Sequence, residues 1–387
     1  MNQSQKMLLL QFSEVEELIS KTRGDTYSDN NKALYHDNLI KLFDGIKAQN
    51  LSSLSEDEIK EVRSYIKFIF NCLVFLRDST LNSIPFEIVR CLNNAMEDWV
   101  DSDNYIIVTG LTKDLYDFSF FIDYSRNDVF YQSLKIKFNI EFNQKLVQIN
   151  LPITLCKDYI STVPLYHELG HFIEKQFDVA LYAIKHIVNN ALLGEPDIKI
   201  YFPAVYKQVI EEDGDFDTNY QQMLYNHLME YFCDLFASQY IGMTSNLYLN
   251  SISGNDSGAF SHPATPHRER MVSDFIDGNN NLIINTFNEI LNRLTGKTLM
   301  KRFSNIESDD FYNLIPVEAK SDAELHGIFE YGWNIWLDDF SRFDPMLGIA
   351  NKVPGGKIYS IINSLMEKSI GNYFITKEWN NKKQCQQ

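Results

Sequence analysis

Apolar residues in the first hundred positions recur with a helical period. The pattern is clearest over residues 55–77, where Ser55 and Glu58 stand in capping-box spacing and Ile59, Val62, Ile66, Ile69, Phe70 and Leu73 follow. It predicts a helical lobe over residues 1–100. Beyond Asn104 the period shortens. Tyr105-Ile106-Ile107-Val108, residues 118–122, residues 134–142 and residues 146–151 are rich in β-branched and aromatic side chains, and the third of these alternates strictly. They predict a small antiparallel sheet with Asn143-Gln144-Lys145 as a hairpin turn. From Ser161 the helical period returns and persists to about Glu378, with turn-rich breaks at 194–196, 211–217, 253–266, 278–281 and 354–356. The expected class is α+β, mostly α-helical, with the strands ahead of residue 155.

Composition agrees with a folded chain. Of 387 residues, 44% are hydrophobic and 13% aromatic, enough for a sizeable core. Asp and Glu number 52 against 35 Lys and Arg, a net charge of -17. That excess argues against phosphate backbones and anionic lipid surfaces as partners and favours neutral or basic ones, because the former need a basic footprint. Five cysteines with no CxxC pair make neither a disulfide framework nor a metal knuckle, so a reducing, cytoplasmic setting is expected. The N-terminus has only the apolar run Met7-Leu8-Leu9-Leu10 before Glu14 and lacks the pattern of a signal peptide. The longest apolar stretch, residues 65–76, falls short of the roughly 20 residues a membrane span needs, so no membrane insertion is expected.

Candidate chemistry is concentrated in Pro164-Leu165-Tyr166-His167-Glu168-Leu169-Gly170-His171. His167 and His171 are four apart on a predicted helix, so both imidazoles point to one side and can hold two corners of a tetrahedral metal site. Glu168 can reach a metal-bound water without being a ligand itself. Catalytic zinc takes three protein ligands and leaves a fourth position open, so a further ligand is expected on a later element. Residues 225–238 have a helical period, with Glu230 and Asp234 on one face. Glu230 can ligate while Asp234 accepts the remote N–H of a zinc-bound histidine. His227, three positions before Glu230, is a rival third ligand.

The pair His167-Glu168-Leu169-Gly170-His171 and Glu230-Tyr231-Phe232-Cys233-Asp234, with Glu230 59 positions after His171, resembles the HExxH and ExxxD motifs of gluzincin metallopeptidases. Ser261-His262-Pro263, followed by Arg268 and Arg270 at a helix start, is similar to the segment closing the catalytic domain of HtpX-like peptidases, here without membrane spans. The resemblance covers roughly residues 145–275. It implies a zincin-like core over 101–275, flanked by the N-terminal lobe and a C-terminal helical lobe with a polar tail over 276–387. One Zn2+ per chain would be held by His167, His171 and Glu230, with Glu168 as general base for peptide hydrolysis. It also implies a side-chain donor to the oxyanion, His262 first and Arg268 or Arg270 second, and an edge strand over residues 146–151 that takes the substrate by β-addition. A protein substrate and a partner bound through the helical lobes are expected. Two alternatives remain open: a regulatory protease acting on one partner in a stress or phage-defence setting, and a catalytically silent, zinc-stabilised scaffold.

Other features carry plainer expectations. Glu174 reads as an exposed helix carboxylate, and Cys233 as packing directed off the Glu230 face. The acidic stretch 211–217 lacks the glycine and terminal glutamate of an EF-hand loop and reads as solvated. Trp333, Trp336 and Phe340 read as a packing stripe.

Overall fold

The computed structural model describes residues 2–27, 29–80, 86–115, 117–121, 128–253, 258–338, 340–343 and 355–384. Ile122, residues 254–257, Pro354 and Cys385 lie outside them. The described chain is mostly helical with one small mixed sheet. It forms two compact units, one from residues 1–89 and 101–157, the other from 90–100 and 158–387. The strands therefore group with the N-terminal helices, whereas the sequence reading groups them with the HExxH helix.

In the first unit α1 (Gln3–Thr22), α2 (Asn30–Lys47) and α3 (Glu56–Asp78) pack together, and α3 packs on the sheet. The capping box before α3 forms as its spacing predicts: Ser55 accepts from the Glu58 N–H, and Glu58 accepts from the Ser55 N–H. Ile59, Val62, Ile66, Ile69 and Leu73 are buried, whereas Phe70 is exposed. One core joins the α3 face to Ile106, Val108 and Leu146 of the sheet. That shared core is why the strands belong with these helices. The chain then continues through α4 (Phe86–Glu97), which leads into the second unit.

The sheet corrects three expectations. Its strands β1 (Tyr105–Thr112), β2 (Ser119–Phe121) and β3 (Lys145–Pro152) lie in the order β1-β3-β2. β1 and β3 are parallel, with Tyr105 opposite Lys145, and β2 is antiparallel to β3, with Phe120 opposite Ile149. β3 is thus the central strand, not an edge strand available for β-addition, because both of its sides are paired over Gln148, Ile149 and Asn150. The alternating stretch 134–142 is not a strand either. Residues Asp128–Phe138 form α5, and no hairpin turn precedes β3. Parallel β1 and β3 need a crossover, which α5 supplies. Tyr131 and Leu134 are buried and Phe130 and Phe138 pack on the core, a helical spacing, while Ile136 is 83% exposed. Asp128 in the first turn and Lys135 and Lys137 in the last suit the helix dipole.

The second unit is built around α10 (Thr218–Ile241), which is buried almost all round from Leu228 onward. Its capping residue is Asp217, whose side chain accepts from the N–H groups of Asn219 and Tyr220. The rest of the acidic stretch 211–217 is largely exposed, as a solvated loop should be. Earlier in the chain lie α6 (Pro164–Phe177), α7 (Val179–Asn189) and the short helices α8 (Pro196–Tyr201) and α9 (Pro203–Tyr206). After α10 come α11 (Thr244–Ser253), α12 (Thr265–Asp277), α13 (Leu282–Thr295), α14 (Asp322–Leu337) and α15 (Gly355–Gln384). Helices α6, α7, α11, α12 and α14 all pack on α10. Trp333 is buried with its Nε1–H on the Ile160 carbonyl at 3.0 Å, and Trp336 packs edge-on against Tyr359, consistent with a packing stripe.

The expected helical run to Glu378 is interrupted over residues 297–321, which are extended or turn-like. That segment lies on helix surfaces through backbone bonds. Arg302 N–H donates to the Gln239 carbonyl at 2.7 Å, Ser304 N–H to that of Ala323 at 2.9 Å, and Val317 N–H to Ser369 Oγ at 2.8 Å. These tertiary partners replace the intrahelical ladder. Gly327 of α14 is what lets the strap approach, since a Cβ there would collide with the Ser304 carbonyl.

No helix among the described residues is long and apolar enough to cross a membrane. The described cysteines Cys72, Cys91, Cys156 and Cys233 form no disulfide with one another.

Candidate metal centre

Helix α6 starts with Pro164 at its first turn, where a missing N–H costs nothing, and buries Leu165, Leu169, Phe172 and Ile173. Its motif residues face α10. Contact between the helices is close at Gly170: a Cβ there would lie 2.9 Å from the Cα of Cys233. The glycine between the two histidines is therefore a packing requirement that brings both imidazoles onto the carboxylates of α10. Alanine at an exposed helix glycine stabilises by about 1 kcal/mol, but overpacking a tight contact costs about 1–3 kcal/mol. Gly170→Ala is thus expected to lower the unfolding midpoint in a thermal melt, and a raised midpoint would show that the helices separate freely.

The predicted ligands meet. His167 Nε2 lies 3.3 Å from Glu230 Oε2, and His171 Nε2 lies 3.7 Å from Glu230 Oε1. The two rings are edge to face, with centroids 4.9 Å apart. Tetrahedral zinc with N and O ligands at about 2.0–2.1 Å has donor-to-donor edges of about 3.3 Å. Each histidine Nε2 thus lies near one oxygen of Glu230, at roughly the edge length of such a tetrahedron.

Asp234 takes the supporting place expected of it. Its Oδ1 accepts from His167 Nδ1 at 2.9 Å, which puts the ring proton on Nδ1 and leaves Nε2 as the donor atom for a metal. Arg268, expected as a possible oxyanion contact, is instead committed to Asp234. It is buried, donates from Nε and Nη2 to the two Asp234 oxygens at 2.7 Å each, and reaches Glu230 at 3.6 Å. It holds the Asp234 carboxylate in place. Arg270 is exposed, and its charge acts on Asp274 and Tyr201. His262 does reach the centre: its Nε2 is 3.8 Å from Glu230 Oε1, its side chain is 55% exposed, and its Nδ1 pairs with Ser261 Oγ. Glu168, one residue after His167, is 7% exposed, and its charge acts on the Cys233 thiol.

Electrostatics match a cation site. Burial works against ionisation of Glu230, yet the hydrogen bond from His167 and the charges of His171, His167 and Arg268 hold its carboxyl well below the usual range. Asp234 is lowered against its own burial, chiefly by Arg268. The Glu230 and Asp234 carboxylates outnumber the single guanidinium beside them. Without a cation, a proton on His167 offsets the excess: burial pushes that ring down, but Asp234 and Glu230 outweigh it and raise it to about 10. His171 goes the other way, with burial lowering it to about 3.

Three residues depart from their sequence readings. Cys233 is not directed away from the centre, since its Sγ lies 3.1 Å from His171 Nδ1. Close approach at Gly170 brings it there. Cys233 also forms, with His167 and His171, a donor group whose atoms all lie within 4.8 Å. Its sulfur touches the Nδ1 side of His171, whereas Glu230 faces both Nε2 atoms. Burial pushes the Cys233 thiol well up. His227, the rival third ligand, holds its Nε2 on the Ala259 carbonyl at 2.8 Å and lies outside the donor group of His167, His171 and Cys233. Glu174, expected exposed, is 0% exposed. Asp178 ends α6 in the left-handed region at φ 50°, so α7 begins at once, and the Glu174 carboxylate accepts the Ala180 N–H at 3.1 Å. It satisfies a first-turn donor of α7 that the Asp178 side chain does not.

A short polar chain backs the motif helix. Tyr166 OH pairs with His326 Nδ1 at 3.0 Å, and His326 Nε2 pairs with Asn94 Oδ1 at 2.8 Å. Burial lowers His326 to about 3, so the ring is neutral and both nitrogens are satisfied. No protein-family model, no curated protein and no solved structure matches this chain.

Proposed function

We propose that the protein is a zinc-dependent metallopeptidase, with α6 and α10 as the ligand helices of a zincin-like core. The observation that carries this reading is the spacing of three donors: two Nε2 atoms at 3.3 and 3.7 Å from one buried carboxylate, with Asp234 and Arg268 holding the set. Bound zinc would supply a water of lowered pKa and polarise the scissile carbonyl. Glu168, next to His167 in the motif, would be the group that accepts a proton and returns it to the leaving amine. Asp234 keeps His167 in the tautomer that presents Nε2, and Arg268 fixes Asp234. His262, on an exposed segment beside Glu230, donates a hydrogen bond to the carbonyl oxygen as it gains charge.

One observation favours the alternative of a silent, zinc-stabilised scaffold. His262 Nε2 at 3.8 Å from Glu230 Oε1 could serve as a fourth protein donor, and structural zinc sites are closed by four. Metal analysis coupled to a peptide-hydrolysis assay tests both. The peptidase reading expects about one zinc per chain, hydrolysis of unstructured peptides, and loss of both metal and hydrolysis in His171→Ala. Full zinc without hydrolysis favours the scaffold. Metal content unchanged in His171→Ala ends both readings.

A further inference from the structure

The two histidines of the motif are held by unlike partners. His167 Nδ1 sits on the Asp234 carboxylate at 2.9 Å, with Arg268 behind it, whereas His171 Nδ1 lies 3.1 Å from the sulfur of Cys233. Among the described residues no other polar atom is hydrogen-bonded to that nitrogen. A metal-ligating histidine almost always gives its second ring N–H to an acceptor, which fixes the tautomer and the ring plane. His171 would lack that support unless the sulfur supplies it.

Packing of α6 on α10 puts the sulfur there. A Cβ at Gly170 would lie 2.9 Å from the Cα of Cys233 and 3.2 Å from its Cβ, so the helices meet at these two residues with no side chain between them. A side chain one heavy atom longer than alanine then reaches the ring of the next residue, His171. Cys233 is 0% exposed, so water does not compete for its sulfur. The direction of the bond follows from the other nitrogen. Nε2, 3.7 Å from Glu230 Oε1, is the one that faces the metal position. A nitrogen that ligates a metal cannot also carry a proton, so in the loaded centre the imidazole keeps its proton on Nδ1 and donates it to Sγ.

We propose that Cys233 is a positioning residue of the metal centre: its sulfur accepts the Nδ1 proton of His171 and so holds that ring with Nε2 toward the metal. The donor atoms of His167, His171 and Cys233 lie within 4.8 Å of one another, which leaves a rival assignment with the sulfur on the metal itself. Against it, the sulfur stands beside Nδ1, while Glu230 stands beside Nε2. Sulfur is a weaker acceptor than a carboxylate, so it fixes the ring of His171 while raising its basicity less than Asp234 raises that of His167. His171 is then the weaker donor of the pair. The inference rests on zinc at Nε2 of His171, as the peptidase reading does, but not on hydrolysis.

Zinc affinity of the wild type, Cys233→Ala and Cys233→Ser, measured by competition with a chromophoric chelator, tests the role. Alanine removes the acceptor and should weaken zinc binding about tenfold, the lower end of the range for losing such a partner. Serine restores an acceptor of nearly the same reach and should bind close to wild type, a rescue that packing alone would not produce. Cobalt(II)-loaded wild type should lack the strong near-ultraviolet sulfur-to-metal charge-transfer band of a thiolate ligand. That spectrum needs no substitution, so the proposal does not hang on a variant folding. Equal zinc affinity in all three chains, a serine variant no better than alanine, or the charge-transfer band in the wild type would overturn it. Absence of zinc binding by the wild type removes this proposal and the metal reading together. Affinities in the expected order without hydrolysis of any peptide keep the role of Cys233 and remove the peptidase reading alone.

Discussion

Glu168→Gln should keep its zinc and lose hydrolysis by about 10²–10⁴-fold, the range that a positioned general base supplies. The amide retains the size of the carboxylate but has no basic oxygen to take a proton from water. No ligand is removed, since His167, His171 and Glu230 are the residues that meet around the metal position. Metal content and kcat measured on the same preparation check the result. Loss of zinc together with activity would make Glu168 a structural residue, which its 7% exposure on α6 would then explain.

Asp234→Ala should be the most damaging change to the centre that touches no ligand. Arg268 is buried and gives both of its inward nitrogens to Asp234 at 2.7 Å. Removing one partner of a buried ion pair costs about 3–5 kcal/mol, because the remaining charge stays in the interior without compensation. His167 also loses the acceptor that fixes its tautomer, for which zinc affinity should fall about 10–100-fold. Urea unfolding with and without chelator, followed by zinc titration, reads both effects. Adding Arg268→Met to Asp234→Ala removes the stranded charge and should restore much of the stability but not the zinc affinity. Recovery of both would place the role of Asp234 in packing alone.

The facing of the four motif residues was legible because it is local. His167 with His171, and Glu230 with Asp234, are four apart on helices whose apolar period predicts their facing, so sequence spacing alone aligns them. What failed was long-range. Arg268 was read as a second-choice oxyanion donor because nothing in the chain says that its Nε and Nη2 will pair with a residue 34 positions away. Cys233 was misread because its direction depends on how near α6 comes, and that is set by the missing side chain of Gly170. The same holds for the sheet. Residues 134–142 alternate like a strand, but Phe130, Tyr131, Leu134 and Phe138 share a helical face, and parallel pairing of β1 with β3 demanded a crossover helix between them. The strap over 297–321 has its hydrogen bonds on other helices, where no period in its own sequence could announce it.

The Arg268 clasp also sets an order of assembly. Helix α6 and helix α10 precede α12 in the chain, so a nascent polypeptide presents Asp234 and Glu230 to the interior before their guanidinium has been synthesised. Until Arg268 arrives, ions and protons from the surroundings must balance those carboxylates, and closing the pocket over them is unfavourable. Burial of those two carboxylates is therefore tied to translation reaching α12.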